Sequence, residues 1–502
     1  MRHSNQRRSR SGRPSGKRQY NNGHNRNYES NGPGNKLRGS ASQVFDKYLA
    51  LARDTFDVNY AIDKKNRFER FINSFANDIV KYDRIISNND IGKEAINFFR
   101  KLNCKKFIIA QTTFTDAKFI TKFANIFDKP IYFISFKEPR TGKRLRLNSL
   151  CGVNLAMHSL MKFKHKPEFS IFTNNKLYEF DKLNKFIIDR KKNKKINKIR
   201  EIKKNKNIDK KLFLKKKNLG LIGKRPEGFY TCDYDSLELV KKLNYNLKKI
   251  KLESLFNESK KTKAKDILLT KSKIKKNLNS VSKLNQKELD KSISIFHGLE
   301  KIKKDKKIDT FAIKCWPEMF TEYGCASCGP MAMMNEKGVS CACEADVLGS
   351  VSCDILNQIT NQPSLLVDVV DCDPQSDTVV FWHCGLAPIS MAKKNSASAT
   401  IHSNRKKPLL HNFALKPGKI TIFRVSKSEN KLKFFVLKAE ILNKKNSFSG
   451  TSGVVKFAKN TYPKLKRIFS SGMEHHFAFT YGNIYSDLIK ISKQLNIPIY
   501  TA

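Results

Sequence analysis

Glu344 and Asp368 stand 24 residues apart, each beside a short apolar run. Val339 to Cys343 reads as a strand ending at Glu344, Ala345 to about Ile359 as a helix, and Leu365 to Val370 as the next strand. The helix carries Val347, Val351, Ile355 and Ile359 on one stripe. A crossover of this kind is expected to set the two strands parallel, with Glu344 at the carboxyl end of one and Asp368 in its neighbour. Open α/β sheets bind ligands at that edge. Two close carboxylates raise one another's pKa, and a bound divalent cation such as Mn²⁺ removes that cost. The cation can hold adjacent oxygens of an open-chain sugar and polarise its carbonyl. One carboxylate then takes a proton from the carbon beside the carbonyl, an acid returns one to the other carbon, and an aldose becomes a ketose through an enediol.

Histidine could complete the ligand shell. His383 follows Asp368 by 15 residues, and His475-His476 opens an apolar strand. Neighbouring strand residues point to opposite faces, so one of the pair is expected to reach the metal. An isolated histidine is as readily a packed core residue. His402, Asn404 and Arg405 in Thr400 to Arg405, and Ser452 in Ser449 to Gly453, offer the donors that polyols need, although both segments also suit ordinary turns. Arg144, Arg146 and Asn148 would bind an anionic or hydroxyl-rich group. Cys325, Cys328, Cys341 and Cys343 offer a rival, a tetrahedral zinc site on an inactive scaffold. Against it, Cys341 and Cys343 share one face of a strand with little room between them, and their surroundings suit buried free thiols.

The elements that must position these residues begin after a different kind of segment. Residues 1 to about 40 hold Arg, Asn, Ser and Gly with almost no large apolar side chains, and are expected to be a disordered basic arm. With a formal net charge of +53, that arm makes an RNA-binding protein the second reading. The chain from 51 to 165 reads as one α/β domain, 166 to 355 as a second with Lys-rich surface helices, and 356 to 502 as a smaller β-rich domain. The fold class is therefore α/β, two Rossmann-like parallel-sheet domains before the β-rich one. No run of about 18 apolar residues spans a membrane. Eleven cysteines without a secretory signal point to reduced thiols and a cytoplasmic protein.

Two resemblances follow from particular segments. Tyr28 to Pro33, with Lys36, Arg38 and Gly39, resembles a small bacterial domain of unknown function, in which a helix would cover Ser42 to about Ala52. Cys343-Glu344-Ala345-Asp346-Val347-Leu348-Gly349 with Val367-Asp368-Val369 resembles the metal site of the L-fucose/L-arabinose isomerase family. The likeness extends through Thr55 to Val58, Arg144 to Ser149, Gly223 to Phe229 and Trp316-Pro317-Glu318. It implies metal-dependent aldose–ketose isomerisation, with Glu344 and Asp368 as both ligands and proton-transfer pair. His383 and His475 or His476 match the family's histidine ligands in order, and Trp316 joins the substrate-facing positions. It further implies a homo-oligomer with pockets between subunits and a small sugar as partner.

Overall fold

The computed structural model describes residues 45–76, 78–173, 175–188, 198–202 and 215–502. The expected basic arm lies outside the described residues.

The first sheet contains β1 (Phe45–Leu51), β2 (Val80–Ile86), β3 (Cys104–Gln111), β4 (Ile131–Phe136), β5 (Glu168–Thr173) and β6 (Lys176–Leu177). Their order is β2-β1-β3-β4-β5-β6, parallel except for β6. The order reverses between β1 and β3. Sheets of this topology open a crevice at the carboxyl ends of the two strands where the order reverses, and Arg53, Thr55 and Phe114 lie just beyond those ends.

β1 replaces the helix expected over Ser42 to Ala52. Tyr48, Leu49 and Ala50 are wholly buried and point alternately into two cores. Leu49 and Leu51 pack with Phe99 and Phe107, and Tyr48 and Ala50 with Phe68 and Ile108. A parallel strand covered on both faces is apolar throughout, so it lacks the period-two signature that separates strand from helix.

A short β7 (Arg200–Glu201) joins the edge of the third sheet. The second sheet has β8 (Lys217–Ile222), β9 (Tyr245–Ile250), β10 (Thr310–Ile313) and β11 (Cys341–Ala342), all parallel in the order β11-β10-β8-β9. Between them the helix Ala264–Asn277 buries only Thr270 and Ile274, as its Lys-rich sequence suggests.

The third sheet adds β12 (Leu365–Asp373), β13 (Thr378–His383), β14 (Ser398–Thr400), β15 (Leu410–Ala414), β16 (Gly418–Ser426), β17 (Lys433–Ile441), β18 (Thr451–Phe457), β19 (His476–Tyr481) and β20 (Ile499–Thr501). Because β17 pairs with β18 as well as β16, strands β13, β12, β19, β16, β17 and β18 close into an antiparallel barrel. Closure removes the unpaired edges that an open sheet presents. Val369, Phe381, Ile422, Phe435, Phe457 and Phe477 line its apolar interior.

The expected parallel crossover from β11 to β12 does not form. β11 belongs to the second sheet, whereas β12 runs antiparallel to both of its neighbours in the barrel. The helix between them, Val347–Thr360, is buried along most of its length. It packs on Leu221 and Ala312 of one sheet and on Phe423, Val425 and Ala478 of the barrel. A helix apolar on more than one side can join two sheets instead of returning to the first.

Candidate active site

Asp368 pairs across the barrel wall with Trp382 of β13 and His476 of β19. Side chains directly opposite in antiparallel strands share a face, so all three point away from the apolar interior. Glu344 comes to them from the second sheet. Glu344 and Ala345 both take left-handed backbone angles, φ 57° and 55°. Such a conformation costs a non-glycine residue on the order of 1–3 kcal/mol, and here it turns the chain between β11 and the following helix. Trp316, just beyond β10, donates its indole N–H to Glu344 Oε1 at 3.4 Å.

Both histidines of the pair arrive at these carboxylates, where alternation predicted one. His475 precedes the first residue of β19, so strand alternation does not govern it. The two rings lie 3.9 Å apart, tilted by 34°. His475 Nε2 is 3.0 Å from Glu344 Oε2 and 4.0 Å from Asp368 Oδ1; His476 Nε2 is 3.7 and 3.6 Å from the same oxygens. The carboxylates keep 16% and 10% of their side-chain surface open and line one pocket.

Beneath them is a charged cluster that the sequence reading missed. His476 Nδ1 is 2.9 Å from Asp346 Oδ2. Arg424, wholly buried, grips both oxygens of Asp346 at 2.7 and 3.0 Å. Burial opposes ionisation of Asp346, but Arg424 and His476 outweigh it and hold its carboxyl well below the usual range. Ionised Asp346 accepts a hydrogen bond from His476 Nδ1, which fixes the ring and turns Nε2 toward Glu344 and Asp368. Burial pushes Asp368 up to about 7, with Glu344 adding to the rise. Burial would also raise Glu344, but the hydrogen bond from His475 and the two imidazoles hold it below the ordinary carboxylate value.

This donor set fits a divalent cation. Two carboxylates and two imidazoles converge with their ligand atoms within 4.0 Å across each carboxylate–imidazole pair. Glu344, His475 and His476 form one of three groups with the spacing of a metal site among the described residues; the other two, Cys343 with His383 and His476, and Cys232 with Asp346 and His476, share His476 with it. Mixed oxygen and imidazole donors suit Mn²⁺ and its neighbours. The carboxylate beneath His476 is the orienting partner that metal-bound histidines commonly have.

The remaining expected residues divide. Trp316, Asn148, His402, Asn404 and Arg405 line the pocket. His383 also reaches it, but its nitrogens face Cys343 Sγ at 2.9 Å and Cys384 Sγ at 3.3 Å. Arg144 and Arg146 stand behind the wall. Arg144 donates to Asn404 Oδ1 and the Thr55 carbonyl, while Arg146 pairs with Asp57 and lies 3.6 Å from the Tyr60 ring centroid. Ser452 is buried in β18, bonded to Asn446 and accepting the Ser447 N–H. The four-cysteine zinc site does not assemble among the described residues: Cys328 lies against Cys384, and Cys343 against His383. Arg53 and Phe114, absent from the sequence reading, enter the pocket from the ends of β1 and β3, beside Phe56 of the Thr55 to Val58 segment. Position just beyond a strand end is the available signal for both Arg53 and Phe114, and for Arg53 it is hidden by the reading of β1 as a helix.

No helix among the described residues is long and apolar enough to cross a membrane. Residues 6–87 match the family model of a domain of unknown function. Where that match overlaps the next, the chain folds as strand, helix and strand of the first sheet. Residues 48–188 match the model for the fucose/sulfoquinovose isomerase N-terminal domain, and residues 410–502 that for the L-fucose isomerase C-terminal domain. The chain is 28% identical over 453 residues to a sulfoquinovose isomerase of Priestia aryabhattai, covering 90% of this chain and 97% of that protein. It is 26% identical over 455 residues to one of Clostridium sp. (strain MSTE9), and 24% over 458 residues to one of Alkalicoccus urumqiensis, covering 90% of this chain and 97% and 98% of those proteins. The carboxylate–histidine site thus sits in a chain whose residues 48–188, ahead of the site, match the fucose/sulfoquinovose isomerase N-terminal domain, and whose residues 410–502, which include His475 and His476, match the L-fucose isomerase C-terminal domain.

Proposed function

We propose that the chain is an aldose–ketose isomerase, acting on an open-chain sugar through an enediol, with Glu344 and Asp368 as the proton-transfer pair. The observation that carries this reading is the approach of both carboxylates to the same two imidazoles, with 3.0 to 4.0 Å between partners, in a pocket open to solvent. The names of the three sulfoquinovose isomerases extend the proposal to a sulfonated hexose as substrate.

Glu344, Asp368, His475 and His476 would hold a divalent cation, which when bound polarises the carbonyl and offsets the charge of the enediolate. Glu344 receives the indole N–H of Trp316, which favours its ionised form and makes it the base. Asp368 receives only a weak contact from Cys151 Sγ at 3.6 Å and is the acid. Glu344 takes the proton from C2, and the C2–H electron pair becomes the C1=C2 bond. The hydroxyl proton passes from O2 to O1. Asp368 then gives its proton to C1, leaving a C2 carbonyl, and the two carboxyls exchange protons with solvent before the next turnover. General acid–base catalysis of this kind contributes roughly 10²–10⁴-fold.

Three measurements test the reading. Glu344→Gln is expected to lose at least that factor in kcat while its melting temperature stays near that of the parent. In D₂O, the ketose formed should carry solvent deuterium at C1. Ketose formed without deuterium would overturn transfer through two carboxyls in favour of a direct hydride shift. Removing divalent metal with a chelator should abolish turnover, and Mn²⁺ should restore it.

A further inference from the structure

Two guanidiniums gather at the Trp316 ring. Arg53 Cζ lies 4.9 Å from its centroid and Arg405 Cζ 5.2 Å. Both line the pocket and are half-buried. Arg146 nearby has Asp57 as its counter-ion, but neither Arg53 nor Arg405 has a carboxylate partner among the described residues. Burial and the like charge of Arg53 both press on Arg405. Two confined cations without a counter-charge are costly, and an anionic ligand supplies what is missing.

The surroundings hold Arg405 in a fixed plane. Its guanidinium lies between the faces of Trp316 and Phe320, each centroid 5.2 Å away. The backbone N–H groups of Asn404 and Arg405 donate to His402 Nδ1 at 3.2 and 3.3 Å, so His402 keeps a proton on Nε2 as a further donor. Arg144 braces the same loop through Asn404. A planar guanidinium held this way presents parallel donors that match a sulfonate or phosphate. The indole that carries the arginines on its face donates its N–H to Glu344. The cationic end of the pocket is thus one ring away from the proton-transfer end.

We propose that Arg53 and Arg405 form an anion subsite that takes the terminal sulfonate or phosphate of the sugar, across Trp316 from Glu344 and Asp368. The proposal rests on the isomerase reading only for the orientation of the chain's C1 and C2 end. The anion subsite itself can be tested without turnover.

The chain has two tryptophans, Trp316 and Trp382, and both line this pocket. Intrinsic fluorescence therefore reports on it directly. Methanesulfonate and methyl phosphate should each be titrated into the full chain, and into Glu344→Gln, against sodium chloride of equal ionic strength. A saturable change in both proteins is expected, with the tighter of the two anions identifying the source. In Arg405→Gln and Arg53→Gln the half-saturating concentration should rise roughly tenfold to hundredfold, the scale of a lost charged hydrogen bond. Arg405→Lys, which keeps the charge but not the fork, should fall between. With turnover, the ratio of kcat/KM for a 6-sulfo aldose over its neutral 6-deoxy counterpart should drop at least tenfold in Arg405→Gln. Titrations that are unchanged in both glutamine variants, or indistinguishable from sodium chloride in the parent, would overturn the subsite. Anion binding that persists in a chain unable to isomerise any aldose would overturn the isomerase reading alone.

Discussion

Asp346 serves two structures at once. Its Oδ1 caps the helix Val347–Thr360 by accepting the Gly349 N–H at 2.8 Å, and its Oδ2 fixes the tautomer of His476. Arg424 binds both oxygens, and Glu474 Oε2 stands 3.8 Å from Arg424 Nε. In Asp346→Asn the Oδ1 acceptor survives, so the cap survives. The charge opposite Arg424 does not, and a buried charge stripped of its partner costs about 3–5 kcal/mol. Loss of the carboxylate behind a metal-bound histidine typically weakens affinity by roughly 10–100-fold. Calorimetric Mn²⁺ titration and a denaturation curve on the same variant separate the two effects. A fall in stability with unaltered Mn²⁺ affinity would make Asp346 purely a structural partner of Arg424.

At the scale of elements, β1 is the sharpest test, because it is central in its sheet and buried on both faces. Leu49→Ala should cost about 2–5 kcal/mol, read as a shift in denaturant midpoint. Leu268→Ala, on the exposed side of the helix Ala264–Asn277 where the leucine is 64% exposed, should change stability by about 0.5 kcal/mol or less. The contrast marks what the sequence made legible. The Lys-rich helix and the helix Val347–Thr360 were readable from apolar spacing. The spacing of Glu344 and Asp368 was readable too, but the reason given for their meeting was wrong. Periodicity identifies a strand and not the sheet it joins, so β11 and β12 were placed side by side when they stand in different sheets. Barrel closure depends on the β17–β18 pairing, a tertiary choice with no local signature. Strand alternation begins at His476 and does not reach His475, and the burial of Asp346 against Arg424, 78 residues away in sequence, has no local signature.

The whole molecule keeps several histidines uncharged in its interior, which fixes how it responds to acid. Burial pushes His402 down to about 3 and His411 down to about 4. Above pH 6.5 these side chains are neutral whether the chain is folded or not, and they contribute nothing to the pH dependence. Below 6.5 the unfolded chain takes up protons that the folded chain refuses, so stability falls as pH falls, by about 1.4 kcal/mol per pH unit for each such histidine. Carboxylates held low in the folded state, such as Asp57 and Asp373, lose their contribution only near and below pH 4. Between pH 5 and 6.5 the histidines are opposed by Asp368 and Glu138, whose buried carboxyls, raised to about 7, take up protons sooner in the folded chain, so a single-histidine variant compared with the parent is what isolates a histidine. His411 is suited to the measurement because it is wholly buried and lies outside the catalytic pocket, with Nδ1 2.9 Å from the Ala387 carbonyl and Nε2 without a partner. In His411→Asn the amide nitrogen takes the place of Nδ1 and keeps that hydrogen bond, while the titrating group is gone. The slope of unfolding free energy against pH between 5 and 6.5 should decrease by about 1.4 kcal/mol per unit in the variant. An unaltered slope would mean that His411 carries its proton in the folded chain, which its unpartnered, buried Nε2 could not accommodate without local opening around Gly385 and Gly450, whose backbones crowd this strand.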